Sequence, residues 1–310
     1  MEASQKSDYS ETAEIGDLPL DLFGRILGFI GPGQHLYVAG VNKFFQKGYL
    51  NRYSFFTLYD AALESVSRAK MTLGSSENPF SPGNGNSYRL QKACERAGCA
   101  GRLDVLEWLM ENHHNLMRTT RSMCRGVAYH GHLPVLQWAR RHGYPWDEWT
   151  CSEAARGGHL EVLKWTKSQG CPWNQRTCFE AARSGHLEVL QWARTNECPW
   201  DEWTCEKAAF EGHLHVLEWA HTNGCPWDAL TCGEAARGGH LEILQWVRRH
   251  GCPWDERTCW EAARGGHLGV LQWARSQGCP WDQWTCELAS RAGHLELFEW
   301  ARDNGCLWEE

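Results

Sequence analysis

The chain has 310 residues, a net charge of −7, 15 cysteines and 19 tryptophans. A chain this acidic offers no basic stripe for phosphates, which argues against nucleic acid or an anionic membrane surface as its partner. No run of 18 apolar residues occurs, and the first 17 residues lack the order of a secretory signal, so a cytoplasmic or nuclear protein with reduced thiols is expected.

Residues 1–14 are polar and acidic and read as a disordered tail. Asp17-Leu18-Pro19 then opens a helix with proline in its first turn. Leu22, Ile26, Phe29 and Ile30 line one face of it, Gly31-Pro32-Gly33 makes a turn, and a second apolar segment runs from Leu36 to Phe45. Residues 15–50 are therefore expected to form a small helical module. Residues 51–87 join a further helix, with Phe55, Leu58, Ala61, Leu63 and Val66, to a flexible linker rich in Gly, Ser, Asn and Pro.

From about residue 88 a fixed period takes over. Gly-His-Leu begins at 131, 158, 185, 212, 239, 266 and 293, always 27 residues apart. A degenerate copy, Gly101-Arg102-Leu103, precedes them by 30 residues, the extra three falling near His113 to Arg121. Periodicity of this size marks a stacked array, here of eight units over 88–308. Within one unit, Asp147 caps a first helix that carries Thr150, Cys151, Ala154 and Ala155, and Gly157-Gly158 ends it. A second helix follows over about 160–168, with Leu160, Val162, Leu163 and Trp165 as its apolar stripe, and Gly170-Cys171-Pro172 forbids continuation. Each unit is thus two short antiparallel helices and two tight turns. Helices this short need burial against neighbours, since isolated ones require about 12–15 residues.

The tryptophans recur at two phases, represented by Trp165 and Trp173, and are expected to bury in the stack as a main stabilising term. The cysteines also follow the repeat, at the phases of Cys151 and Cys171, with Cys99 apart. They read as small buried core residues. The repeating His159 follows a helix-ending glycine. Cys171 and Cys178 are too far apart for the usual zinc pair, and no CxxC occurs. Phosphate-loop, dinucleotide, GxSxG and HExxH signatures are absent, so no enzyme and no cofactor or metal is expected.

The run Thr150-Cys-Ser-Glu-Ala-Ala-Arg-Gly-Gly-His-Leu, closing with Gly170-Cys-Pro-Trp, resembles an ankyrin repeat. Cys151 stands where that family has proline, and the unit is 27 residues, not the 33 typical of ankyrin. Asp201 reaches Thr204 through only two residues, which leaves no room for the ankyrin β-hairpin. The fold expected is therefore an all-α, ankyrin-like helical solenoid behind the small helical module. In the module, Leu18-Pro19, Ile26-Leu27 and Val41-Asn-Lys-Phe-Phe45 resemble an F-box. That resemblance implies docking of a Skp-type adaptor of cullin ubiquitin ligases through Leu18, Pro19, Ile26 and Leu27. By its residues alone, the segment is equally a hairpin that caps the array.

Ankyrin-like stacking implies that the first helices and the turns before them line the binding side. The positions that wander there place Trp149, Arg176, Phe179, Trp203, Arg257, Trp260 and Trp284 in a candidate protein-binding groove. Trp and Arg are the residue types of interface hot spots. The same positions would also suit a scattered solvated face. The function expected is a non-catalytic scaffold that binds a protein partner. The alternative is a substrate-recruiting F-box subunit of a cullin-type ubiquitin ligase.

Overall fold

The computed structural model describes residues 86–112 and 121–308. The expected tail, the 15–50 module with Leu18, Pro19, Ile26 and Leu27, and nearly all of 51–87 lie outside the described residues, as do residues 113–120. The described residues form sixteen helices and no strand. None of these helices is long and apolar enough to cross a membrane. The chain divides into two compact units, one containing 86–97 with 102–112, the other 98–101 with 121–308. Helices α1 (Asn86–Cys99) and α2 (Leu103–Asn112) provide the first, whose buried residues include Ala93, Ala97, Val105, Leu106 and Leu109.

The second unit is a helical solenoid of seven regular pairs: α3 (Arg121–Tyr129) and α4 (Leu133–Arg141), α5 (Glu148–Arg156) and α6 (Leu160–Ser168), α7 (Gln175–Arg183) and α8 (Leu187–Thr195), α9 (Glu202–Phe210) and α10 (Leu214–Thr222), α11 (Ala229–Arg237) and α12 (Leu241–Arg249), α13 (Glu256–Gly265) and α14 (Leu268–Ser276), α15 (Gln283–Ala292) and α16 (Leu295–Asp303). The first helices of successive pairs, α3 to α15, pack side by side.

Local chemistry fixes each boundary. The side chains of Asn174, Asp228, Asp255 and Asp282 accept the backbone N–H two residues on, at 2.9–3.0 Å, and so start α7, α11, α13 and α15. Asp147 starts α5 through a capping box with Thr150. The first helix ends in a Schellman turn: the His159 N–H donates to Ala154 O at 3.0 Å and the Gly158 N–H to Ala155 O at 3.1 Å, with Gly158 left-handed at φ 76°. The second helix ends the same way through Gly170 and Cys171.

The core is built from small residues. Cys151, Ala154 and Ala155 of α5 are fully buried, as are their equivalents through the array except the half-buried Ser290, with Val162, Leu163 and Thr166 opposing them from α6. Thr166 takes the place in the buried stripe that the sequence suggested for Leu160 and Trp165. All fifteen cysteines are free thiols, and every one but Cys99 is buried. Cys171, Cys198, Cys225, Cys252, Cys279 and Cys306 donate their thiol hydrogens to the carbonyls of the capping residues 24 positions earlier, at 3.2–3.4 Å.

The tryptophans correct one expectation. Trp138 is 4% exposed, but Trp146, Trp165, Trp173, Trp192 and their later equivalents are only half-buried. Buried Ala and Cys fill the first helices' side of the core, and these indoles sit on the turns and second helices. The rings instead pair edge-to-face along the margin, Trp146 with Trp165, Trp173 with Trp192 and so on, at 5.7–6.0 Å. A cation from the last turn of the second helix covers the turn indole: Arg140 over Trp146 at 3.9 Å, Lys167 over Trp173 at 4.0 Å, Arg194 over Trp200 at 4.1 Å.

The link that explains the fixed Gly-His pair runs between units. The Nε2 atoms of His186, His240, His267 and His294 lie 3.0–3.2 Å from carbonyl oxygens 30 residues earlier. A carbonyl only accepts, so Nε2 carries the proton. Burial disfavours the charged form of His159 and His213 and lowers their pKa. Each ring also lies against the left-handed glycine of the preceding unit. A Cβ on Gly158 would meet His186 at 2.7 Å, and one on Gly239 would meet His267 at 2.5 Å. At Gly293, with no described unit beyond it, a Cβ would meet nothing within 4 Å.

The second-helix glycines differ. A Cβ on Gly170, Gly224, Gly251 or Gly278 would meet nothing, and the equivalent residue in one unit is Glu197, at φ 63°. This contrast sets a test. Gly170→Ala should lower stability by about 1–2 kcal/mol, the left-handed penalty alone. Gly158→Ala should lower it by about 1–3 kcal/mol more, because the His186 ring must also give way. Urea-unfolding midpoints of the two variants read the difference.

Candidate functional site

The expected groove residues fall in two registers of the first helices. Trp149, Arg176, Trp203, Leu230, Arg257 and Trp284 are the second residues of α5, α7, α9, α11, α13 and α15. Phe179 and Trp260 lie one turn later on the same helical face, at i+3. Side-by-side packing of these helices lines the registers up across the array.

Four of the seven residues form one run. The Arg176 guanidinium lies 3.7 Å from the Trp149 ring centre and 5.9 Å from that of Phe179. Phe179 meets Trp203 with ring centres 6.4 Å apart. Arg125 covers Trp149 at 5.2 Å and pairs with Asp147. Arg176 is anchored by Glu180, 2% exposed, whose Oε1 accepts from Nη2 at 3.1 Å. Trp203 is 57% exposed, a large hydrophobic side chain turned mostly to solvent. A cavity of about 240 Å³ opens beside this run, lined by Trp149, Phe179 and Trp203 together with the carboxylates of Glu148 and Asp201.

The remaining three are arranged differently. The Trp260 indole N–H donates to Asp282 Oδ1 at 2.6 Å, and the same oxygen accepts the Trp284 backbone N–H. Trp260 and Trp284 therefore meet through a capping carboxylate, and Trp284 stays 43% exposed. Arg257 is exposed, 4.0 Å from its own capping Asp255. Leu230, 37% exposed, occupies the register between the two clusters.

Two acidic residues on α9 and its cap escaped selection from sequence. Asp201 Oδ1 and Glu206 Oε1 are both buried without a hydrogen-bond partner. Glu206 is 5% exposed, and its carboxyl is pushed up to about 7, first by burial and then by the negative charge of Asp228. Glu234 and Glu202 push the same way; Lys207 opposes them. The sequence signal was present: in the register of Phe179 and Trp260, Glu206 departs from Ser152 and Gly233. A reading keyed to aromatic hot spots passes over it.

Among the described residues no group of three or more His, Cys, Asp or Glu side chains is placed to hold a metal ion. Burial pushes the Cys94 and Cys124 thiols up to about 12, so both stay protonated at neutral pH. In comparisons with known proteins, no family model matches the chain and no curated sequence matches it.

The raised Glu206 carboxyl has a signed consequence. The folded state binds this proton more tightly than the unfolded chain, so the buried group opposes folding increasingly as pH rises from the ordinary carboxylate range through about 7. Glu206→Gln should therefore raise the urea midpoint at pH 8, with the gain disappearing toward pH 5. A gain of the same size at both values would contradict the assignment.

Proposed function

We propose that this chain is a non-catalytic protein-recognition scaffold built from shortened ankyrin-like units. The observation that carries this reading is the contiguous run Trp149–Arg176–Phe179–Trp203 beside an open cavity. The array's own packing does not require aromatic rings in these registers. Leu230, Arg257 and Gly233 fill the same positions elsewhere with the helices unchanged. Large aromatic and guanidinium groups partly open to solvent are the usual anchors of a protein interface. Histidine and cysteine, by contrast, recur in equivalent surroundings in every unit, as structural parts do and a single tuned catalytic centre does not.

A sharper version assigns residues 15–50 to a ligase adaptor and the array to the target, so that the chain recruits substrate to a cullin-type ubiquitin ligase. It is supported by the F-box-like residues Leu18, Pro19, Ile26 and Leu27.

Capture from cell extract with the tagged full chain tests both. Trp203→Ala with Trp284→Ala, both at exposed positions, should change stability by no more than about 0.5 kcal/mol each. The pair should remove a defined set of captured proteins. Retention of every captured protein would contradict the scaffold reading at this face. Leu18→Ala with Pro19→Ala should release a Skp-type adaptor and keep the rest; no adaptor in the wild-type capture would remove the ligase version.

A further inference from the structure

Three buried carboxylates stand among the described residues of the array: Asp147, Glu180 and Glu206. Asp147 pairs with Arg125 and Glu180 with Arg176. Glu206 has no counter-charge bound to it. The neighbouring cation, Lys207, is held by Glu234, its Nζ 2.9 Å from Oε1. A carboxylate removed from water and left unpaired is strongly unfavourable, and the array does not need one there. The same register accepts Ser152, Phe179, Gly233 and Trp260. On the next first helix it is Gly233, where an added Cβ would meet nothing closer than Glu261 at 3.8 Å.

One turn before Glu206, at the start of α9, Asp201 repeats the pattern. The equivalent caps Asn174, Asp228, Asp255 and Asp282 each accept a backbone N–H. Asp201 lines the aromatic cavity with Trp149, Phe179 and Trp203; its carboxyl feels the Trp203 backbone N–H, and its buried Oδ1 has no partner. Glu148 adds a second carboxylate to the same wall. The cation of that cavity, Arg176, is already engaged by Glu180 and Trp149. Across this stretch the groove therefore combines aromatic faces, exposed apolar surface at Trp203 and Leu230, and two acidic side chains, Asp201 and Glu206, each with a buried oxygen lacking a donor.

We infer that the partner segment is basic, and that it presents lysine or arginine side chains to Asp201 and Glu206 with their stems lying across Trp203 and Leu230. A cation with an aliphatic stem supplies each missing element: donors for the two carboxylates, apolar contact for the exposed side chains, and a charge that an indole face attracts. An acidic segment would leave both carboxylates unpaired and add repulsion. This inference rests on the reading that this face binds protein.

The test uses the full chain and a fluorescein-labelled peptide of alternating arginine and glycine, with an alternating glutamate and glycine peptide beside it. Asp201→Asn keeps a capping side chain, as Asn174 shows, and Glu206→Gln keeps the shape, so the double variant should fold. The double variant Glu188→Gln with Glu242→Gln removes the same charge from exposed second-helix positions. Binding of the arginine peptide, followed by anisotropy, should weaken at least tenfold in the groove variant and less than twofold in the control. Equal weakening in both variants, or equal binding of the glutamate peptide, would overturn the inference. If either occurs while Trp203→Ala with Trp284→Ala still removes captured proteins, the scaffold reading stands and only the partner's charge was misassigned.

Discussion

No helix of a repeating pair can stand alone. At nine or ten residues each, the helices from α3 to α16 fall short of the length at which an isolated helix persists in water. Their stability has to come from neighbours. Three contacts carry it: the buried Ala, Cys, Val and Leu set, the thiol-to-carbonyl bonds between successive turns, and the histidine seated on the glycine of the unit before. The last is the most demanding geometrically. It needs a residue without a Cβ in a left-handed turn and a ring on the next unit at the right distance. The invariance of Gly-His across the array follows from that requirement.

Much of this was legible in the sequence. Asp147 as a cap, the helix over Leu160–Ser168 and the turn at Gly170 emerge in the structure as their residue types suggested. The short passage from Asp201 to Thr204 excluded a hairpin, and no strand occurs among the described residues. Tryptophan was harder to place. Its size and period suggested the core, but Ala, Cys, Val and Leu fill the core, and the indoles line a margin under arginine and lysine. That outcome depends on how the helices pack, which one-dimensional periodicity does not encode. The histidine's partner was hidden for a related reason. Its carbonyl lies in the preceding unit, thirty residues away.

For the candidate groove, the wandering registers selected residues that share one helical face, but not their grouping. Trp149, Arg176, Phe179 and Trp203 stack as one run, whereas Trp260 and Trp284 meet through Asp282 and Arg257 stands off. Whether an arginine stacks or floats depends on its counter-charge, which is Glu180 in one case and a distant cap in the other. Glu206 was invisible to a search for aromatic anchors. Its importance rests on burial and on a missing partner, and both are properties of the packed array.

The array thus divides its labour by register. Positions that face the adjacent unit are held to Gly, His, Ala, Cys and Leu, and those on the open first-helix face vary in size and charge. On the proposed reading, a change on that face would alter recognition without disturbing the stack, provided the contacts between units dominate stability. Urea unfolding of arrays containing two, three, five and seven of the 27-residue units, beside the isolated segment 147–173 followed by circular dichroism, tests that condition most directly. The account predicts a segment without helix and a midpoint that climbs with every unit added. A helical single unit, or a midpoint independent of unit number, would contradict it.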